Sequence, residues 1–271
     1  MSRKGIAGSH YLFASDFDQT LSFNDSGAVL SDLIGVSGFE EKVAGLACTN
    51  LVHQGAELAY LLRHDPAFRG VRREHLIETG RRLRLKADIP KLIQFLAGGI
   101  DGAHFSFYVI SAAPQAVIQA ALADVVAPEF IYGTELDYDG DTGEIRSISR
   151  VPAGFGKVAA VEEIAARHHI ALDRVIYVGD GGSDVHVMLH VNNCDGFTIA
   201  VSENRRLGRI ARRTILSGSA FSVVLPALED VFGWQSSAIR ALFTSYGLPL
   251  HDWQRIRTDR LTIGDGSQSA A

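Results

Sequence analysis

The chain has 271 residues, 46% hydrophobic and 21% charged, enough to bury a full core in one large domain or in a main domain carrying a smaller one. A net charge of -5 and a pI near 6.0 argue against a protein that coats nucleic acid, since phosphate contacts need a basic surface. No apolar stretch approaches the roughly twenty residues that span a bilayer, and the basic opening Met1-Ser2-Arg3-Lys4 precedes too short an apolar run for a signal peptide. A cytoplasmic protein with neither nucleic-acid nor membrane partners is expected. Cys48 and Cys194 are far apart with no zinc-like spacing, so both are expected to be small buried residues in a reducing compartment.

In chain order, Tyr11 to Ala14 reads as a buried strand that stops at Asp16-Phe17-Asp18-Gln19-Thr20. Two carboxylates so close raise one another's pKa or call for a cation, although a solvated turn would also accommodate them. Ser22 to Gly27 is turn-rich, and from about Ala28 to Leu96 apolar residues recur at helical spacing, ending at Gly98-Gly99. This middle region is basic: Arg63, Arg69, Arg72, Arg73, Arg81, Arg82, Arg84 and Lys86. Most of these form a solvated helix face, with one or two left to meet an anionic substrate.

Phe105 to Ile110 is a strand covered on both faces, ending at Ser111-Ala112-Ala113-Pro114, with Pro114 opening a helix. Phe130-Ile131-Tyr132 begins a strand that turns at Asp139-Gly140 into a hairpin, whose acids are turn formers. Lys157 follows Gly154 and Gly156 at the start of an amphipathic helix, where the helix dipole slightly disfavours a cation. Val175 to Val178 is a buried strand ending at Gly179-Asp180-Gly181-Gly182-Ser183-Asp184, and Phe197 to Val201 is another. Helical spacing resumes after Gly233, and Gly264 to Gln268 resembles a frayed terminus. His186 and His190 stand at i,i+4 on a helix but lack the neighbouring Glu of a metalloprotease, which weighs against a metal there.

Strands alternating with helices predict a doubly wound parallel sheet of the α/β class, with ligands at the carboxyl ends of the strands. Asp16, Asp18, Ser111 and Asp180 are all expected there. The ordered set Asp16-Phe17-Asp18-Gln19-Thr20, Ser111, Lys157 and Gly179-Asp180-Gly181-Gly182-Ser183-Asp184 resembles the motifs of the haloacid dehalogenase-like (HAD) superfamily of phosphatases. Within it the likeness is to phosphoserine phosphatase-like members, over Tyr11 to about Val201. The resemblance implies a Rossmann-like core of residues 1–22 and 100–232, a small helical cap at 23–99 inserted after the first strand, and a C-terminal helical extension at 233–271.

The resemblance further implies a Mg2+-dependent phosphatase acting on a small phosphorylated metabolite. In it Asp16 attacks phosphorus and Asp18 serves as general acid and base. Ser111, Ala112 and Lys157 bind the phosphoryl group, with Thr20 either contacting it or fixing the loop. Asp16, Asp180 and the backbone carbonyl of Asp18 ligate the metal, while Asp184 supports it from behind or orients Lys157. Ala112 and Ala113 stand where phosphoserine phosphatases usually have glycines, and Gln19 and Ser183 also depart from that group's pattern, which puts phosphoserine specificity in doubt. A phosphotransferase or mutase of the superfamily, and a non-catalytic sensor of phosphorylated ligands, stay open as alternatives. A dinucleotide-binding domain fails on charge, because Asp180 and Asp184 would face the pyrophosphate.

Overall fold

In the computed structural model the described residues are 8–49, 52–251 and 253. Met1 to Lys4 and Gly264 to Gln268, read above as a basic opening and a frayed end, lie outside them. The fold is built outward from β1 (His10–Ser15), where every residue after His10 is buried. Alternate side chains face opposite sides of the strand. Leu12 and Ala14 join a cluster with Tyr108, Tyr177, Ile164 and Met188. On the other side Tyr11 stacks on Phe105 and Phe13 lies beside Phe107.

After β1 come α1 (Ser26–Ile34), α2 (Phe39–Thr49), α3 (Glu57–His64), α4 (Arg73–Arg82) and α5 (Ile89–Gly98). Then follow β2 (His104–Pro114), α6 (Gln115–Ala121), β3 (Ile131–Tyr138), β4 (Ile145–Arg150), α7 (Phe155–Arg167) and β5 (Val175–Gly179). The chain continues through α8 (Val185–Asn193), β6 (Phe197–Ala200), α9 (Leu207–Ile210), β7 (Arg213–Thr214), α10 (Val224–Pro226) and α11 (Ser236–Ser245). The strands form one seven-stranded sheet in the order β4-β3-β2-β1-β5-β6-β7, parallel throughout except for the antiparallel β3–β4 pair. Helices flank it, which is the doubly wound α/β arrangement expected. Because β1 is bordered by β2 on one side and β5 on the other, the chain reverses its winding there and leaves a crevice at the strand ends.

The helical stretch between β1 and β2 divides in two. α1 packs on α4 and α4 on α6, whereas α5 lies against β2, so residues 89–98, assigned by periodicity to the insertion, serve as a layer on the sheet. Periodicity reports that a helix has an apolar face, not which partner covers it. Residues 1–234 and 235–271 form two separate contact units. In the second, α11 closes on a Leu248 amide bonded to the Phe243 carbonyl, and the Arg240 guanidinium stacks on Trp253, 5.1 Å from the ring centre.

Several local expectations need correction. β2 runs on to Pro114, which ends the strand; α6 begins at Gln115, and Phe130 lies in a 3-10 turn before β3. Cys48 is exposed and Cys194 half-buried, because α2 buries none of its residues and Cys194 caps the end of α8. Of the hairpin acids, Asp139 is a turn former, its carboxylate accepting from the Asp141 and Thr142 amides and the Thr142 hydroxyl, whereas Asp137 accepts from Ser147 Oγ and Glu135 pairs with Arg150 across the strands. Among the described residues no helix is long and apolar enough to cross a membrane.

Candidate active site

The carboxyl end of β1 delivers Asp16, whose amide donates to the Val178 carbonyl of β5 at 2.8 Å. That bond carries the sheet one residue past the strand and sets Asp16 beside the loop after β5, which begins at Asp180. Carboxylate oxygens of Asp16, Asp180 and Asp184 lie within 4.8 Å of one another, the one grouping of potential metal-ligating side chains found among the described residues. His186 and His190 belong to no such group among the described residues.

Lys157, fully buried, joins the cluster from the first turn of α7. Its ammonium lies 2.9 Å from Asp16 Oδ2 and 2.6 Å from Asp184 Oδ1. Burial pulls its pKa down, but the two carboxylates outweigh this and hold it above the usual lysine range. The unfavourable start-of-helix position is thus offset by direct ion pairs.

Asp184 is saturated. Oδ1 also accepts from the Tyr177 hydroxyl at 2.7 Å, and Oδ2 accepts from the amides of Asp180 and Gly181 at 3.1 and 3.0 Å. Gly179 is required by this packing, since a Cβ there would stand 2.4 Å from the Asp184 carboxylate. Asp184 therefore shapes the loop and aims Lys157, while Asp16 accepts from the Phe17 amide at 2.7 Å and pairs with Lys157. Burial, reinforced by Asp184, raises Asp16 to about 6 even against Lys157. Burial, then Asp16 and Asp184, raises Asp180 to about 8. Thr20 Oγ1 donates to Asp180 Oδ1 at 3.4 Å, so Thr20 ties the two acidic loops together. Ser202 Oγ donates to the Asp180 carbonyl from the loop after β6.

Asp18 is placed differently from the strand alternation expected. β1 ends at Ser15, and residues 18–20 form a turn with Gln19 at φ 55°, so the two acids are brought near each other by the turn. The Asp18 carboxylate accepts from Ser26 Oγ at 2.6 Å, at the start of α1. Burial, followed by the charge of Asp25, pushes its pKa well above the usual carboxylate value. Ser26 and Asp25 were passed over in the sequence because Ser22 to Gly27 reads as an ordinary turn; Asp25 is in fact the N-cap of α1.

Ser111 lies within β2, three residues before its end, where the pairing with β3 slips between Ile110 and Pro114. Such an irregularity re-aims side chains next to functional sites. The Ser111 hydroxyl bonds to Asp16 and lowers its pKa, and the Ala112 carbonyl accepts from Thr134. Ser111 and Lys157 are thus bonded to Asp16, and Thr20 and Asp184 to Asp180, whereas Asp18 is bonded to Ser26 and Ala112 to Thr134. A further group comes from the insertion: Gln54 lies over Gly182, with a Cβ on that glycine meeting the Gln54 amide at 2.1 Å.

Sheet and cluster together define a doubly wound α/β protein with a lysine-bridged acidic centre at the carboxyl ends of its strands. Residues 13–189 match the sequence model of the haloacid dehalogenase-like hydrolases, and the chain belongs to that family. No curated protein sequence matches it. Similar solved structures include a HAD family hydrolase from Salmonella enterica serovar Typhi, 16% identical, covering 84% of this chain and 74% of that one at a TM-score of 0.65. A phosphoserine phosphatase held as an analogue of its phospho-aspartyl intermediate is 17% identical, covering 80% and 98% at 0.63. A phosphoserine phosphohydrolase-like protein from Francisella tularensis is 20% identical, covering 80% and 99% at 0.60. At these identities the likeness is one of fold.

Proposed function

We propose that this hydrolase is a phosphatase of small phosphorylated metabolites that works through an aspartyl-phosphate on Asp16. The observation that carries the reading is the buried Asp16–Lys157 pair at 2.9 Å beside Asp180: a nucleophilic carboxylate, a cation for the phosphoryl oxygens and a second acid in one pocket. Asp16 attacks phosphorus as the bond to the leaving oxygen breaks. Asp18, whose protonated form is favoured by burial and by the charge of Asp25, gives its proton to that oxygen and afterwards takes one from the water that releases phosphate. Ser111 and Lys157 hold non-bridging oxygens, and Asp184 positions Lys157.

A divalent cation fits this donor set. Asp16 and Asp180 crowd together with raised pKa values, the kind of hard oxygen site that Mg2+ takes. Asp16, Asp180 and the Asp18 backbone carbonyl would hold it. When bound, it supplies positive charge that lets a phosphomonoester dianion approach a carboxylate. Helices α1–α4 would form the cap over the pocket, with Gln54 reaching the Gly182 loop.

The test is phosphate release from an aryl phosphate and a metabolite panel with Mg2+. Turnover should vanish with EDTA and with Asp16→Asn. Full activity in Asp16→Asn would remove Asp16 as nucleophile. Transfer to added alcohols in place of water would mark a phosphotransferase, and binding without turnover a sensor.

A further inference from the structure

A short ladder joins the two linkers of the helical insertion. Ser22 bridges Leu85, the Phe23 amide donates to the Arg84 carbonyl at 2.9 Å, and the Lys86 amide donates to the Leu21 carbonyl at 2.9 Å. This fastens Lys86 beside the turn that carries Asp16 to Thr20. Lys86 is only 5% exposed, yet among the described residues its ammonium makes no hydrogen bond or ion pair.

The acids nearest to it in charge are Asp88 and Asp180, and both are engaged. The Asp88 carboxylate accepts from Ser219 Oγ and from the amides of Ala220 and Phe221 at 2.8 and 3.1 Å. Asp180 meets Thr20 and shares its pocket with Asp16 and Asp184. The remaining neighbour is aromatic: the ammonium stands 6.0 Å from the centre of the Phe23 ring, on which Arg84 also stacks at 4.8 Å. Burial lowers the Lys86 pKa, with the two acids opposing the shift. The Lys86 stem is buried while its ammonium, with no protein oxygen to bond, keeps its contact with solvent, and an anionic ligand oxygen would take the place of that water. Of the basic residues along the insertion, Lys86 is the one that combines burial with nearness to the acidic centre.

We infer that Lys86 is a specificity-determining residue that binds an anionic group of the substrate other than the transferred phosphoryl group. The substrates are then phosphomonoesters carrying a second anion, a carboxylate or a further phosphate. The inference rests on the phosphatase reading. Lys157 and Ser111 would hold the phosphoryl end while Lys86, delivered by the linker of the insertion, selects what is attached to it.

The experiment compares propyl phosphate, which has no second anion, with phosphoglycolate and propane-1,3-diol bisphosphate. The wild-type protein should prefer one of the two doubly anionic probes, and which one separates carboxylate from phosphate. In Lys86→Met the preference, as a ratio of kcat/KM values, should fall about tenfold or more, the size of one charge-assisted hydrogen bond, mainly through KM. Lys86→Arg should restore part of it. The thermal midpoint of Lys86→Met should stay level, since the buried stem is replaced by one of similar shape and no protein hydrogen bond is lost. An equal loss on all three probes, or an unchanged ratio, overturns the inference. Calorimetric titration of the three probes with Mg2+ into Asp16→Asn, with and without Lys86→Met, reads the same preference without turnover. Preference without hydrolysis in the wild type would sink the phosphatase reading and keep Lys86, whereas hydrolysis without preference would do the reverse.

Discussion

Asp184→Asn is the substitution whose effect follows most directly from the geometry. Four donors converge on the Asp184 carboxylate: the Lys157 ammonium, the Tyr177 hydroxyl and the amides of Asp180 and Gly181. The side chains of Asp184 and Lys157 are both 0% exposed, so water cannot replace a lost partner. Asparagine keeps the shape but offers one acceptor oxygen and turns an NH2 group toward the other pair of donors. Either Lys157 and Tyr177 or the two loop amides then face a donor. Breaking a buried ion pair costs about 3–5 kcal/mol. At roughly 2–4 °C per kcal/mol for a domain this large, the thermal midpoint should fall by roughly 6–20 °C. Tyr177→Phe removes one donor and should cost about 1 kcal/mol in the wild type, but little in the Asp184→Asn background, where a donor is already surplus. Thermal and urea unfolding of the four proteins in metal-free buffer give the cycle. A midpoint loss under about 2 °C for Asp184→Asn, or strict additivity with Tyr177→Phe, would refute Asp184 as the buried hub.

Three other outcomes are expected. In the metal-free protein Asp16 and Asp180, raised from 3.8 to about 6 and about 8, hold protons more tightly folded than unfolded. Stability should therefore decline as pH rises from about 4 to about 8, and Mg2+ should raise the thermal midpoint more at the alkaline end; a flat profile counts against the crowded acidic pair. Ser26→Ala removes the donor that stabilises the charged form of Asp18, so its limb of the kcat/KM pH profile should move to higher pH, and a shift downward would contradict the Asp18 assignment. Gly182→Ala should displace Gln54 and cost under about 1 kcal/mol, because the clash is with the end of a flexible side chain; adding Gln54→Ala should recover most of that loss in a denaturant titration.

The sheet was legible because Leu12 to Ala14, Val109-Ile110 and Val175 to Val178 are apolar runs too short for helices and bounded by the site residues themselves. Asp16, Ser111, Lys157 and Asp180 were legible for the same reason: strand ends and helix starts mark where chemistry-bearing side chains leave a buried element. The site features that escaped the sequence depend on contacts between distant segments. Nothing local in Ser22 to Gly27 says that Ser26 bonds Asp18, and nothing in Leu85-Lys86-Ala87-Asp88 says that Asp88 is claimed by residues 219–221 while Lys86 is left without an oxygen. Charge density alone chose none of the basic residues from Arg63 to Lys86; in the structure Arg81 and Arg82 are exposed and Arg82 pairs with Glu78 on its own helix. Such a pair contributes little and leaves no demand for a ligand. The demand arises where burial and pairing disagree. In the helical insertion that happens at Lys86, on the linker returning to the core and beside the turn that holds Asp16 and Asp18, so a selecting group is attached to the same strand end as the reacting ones.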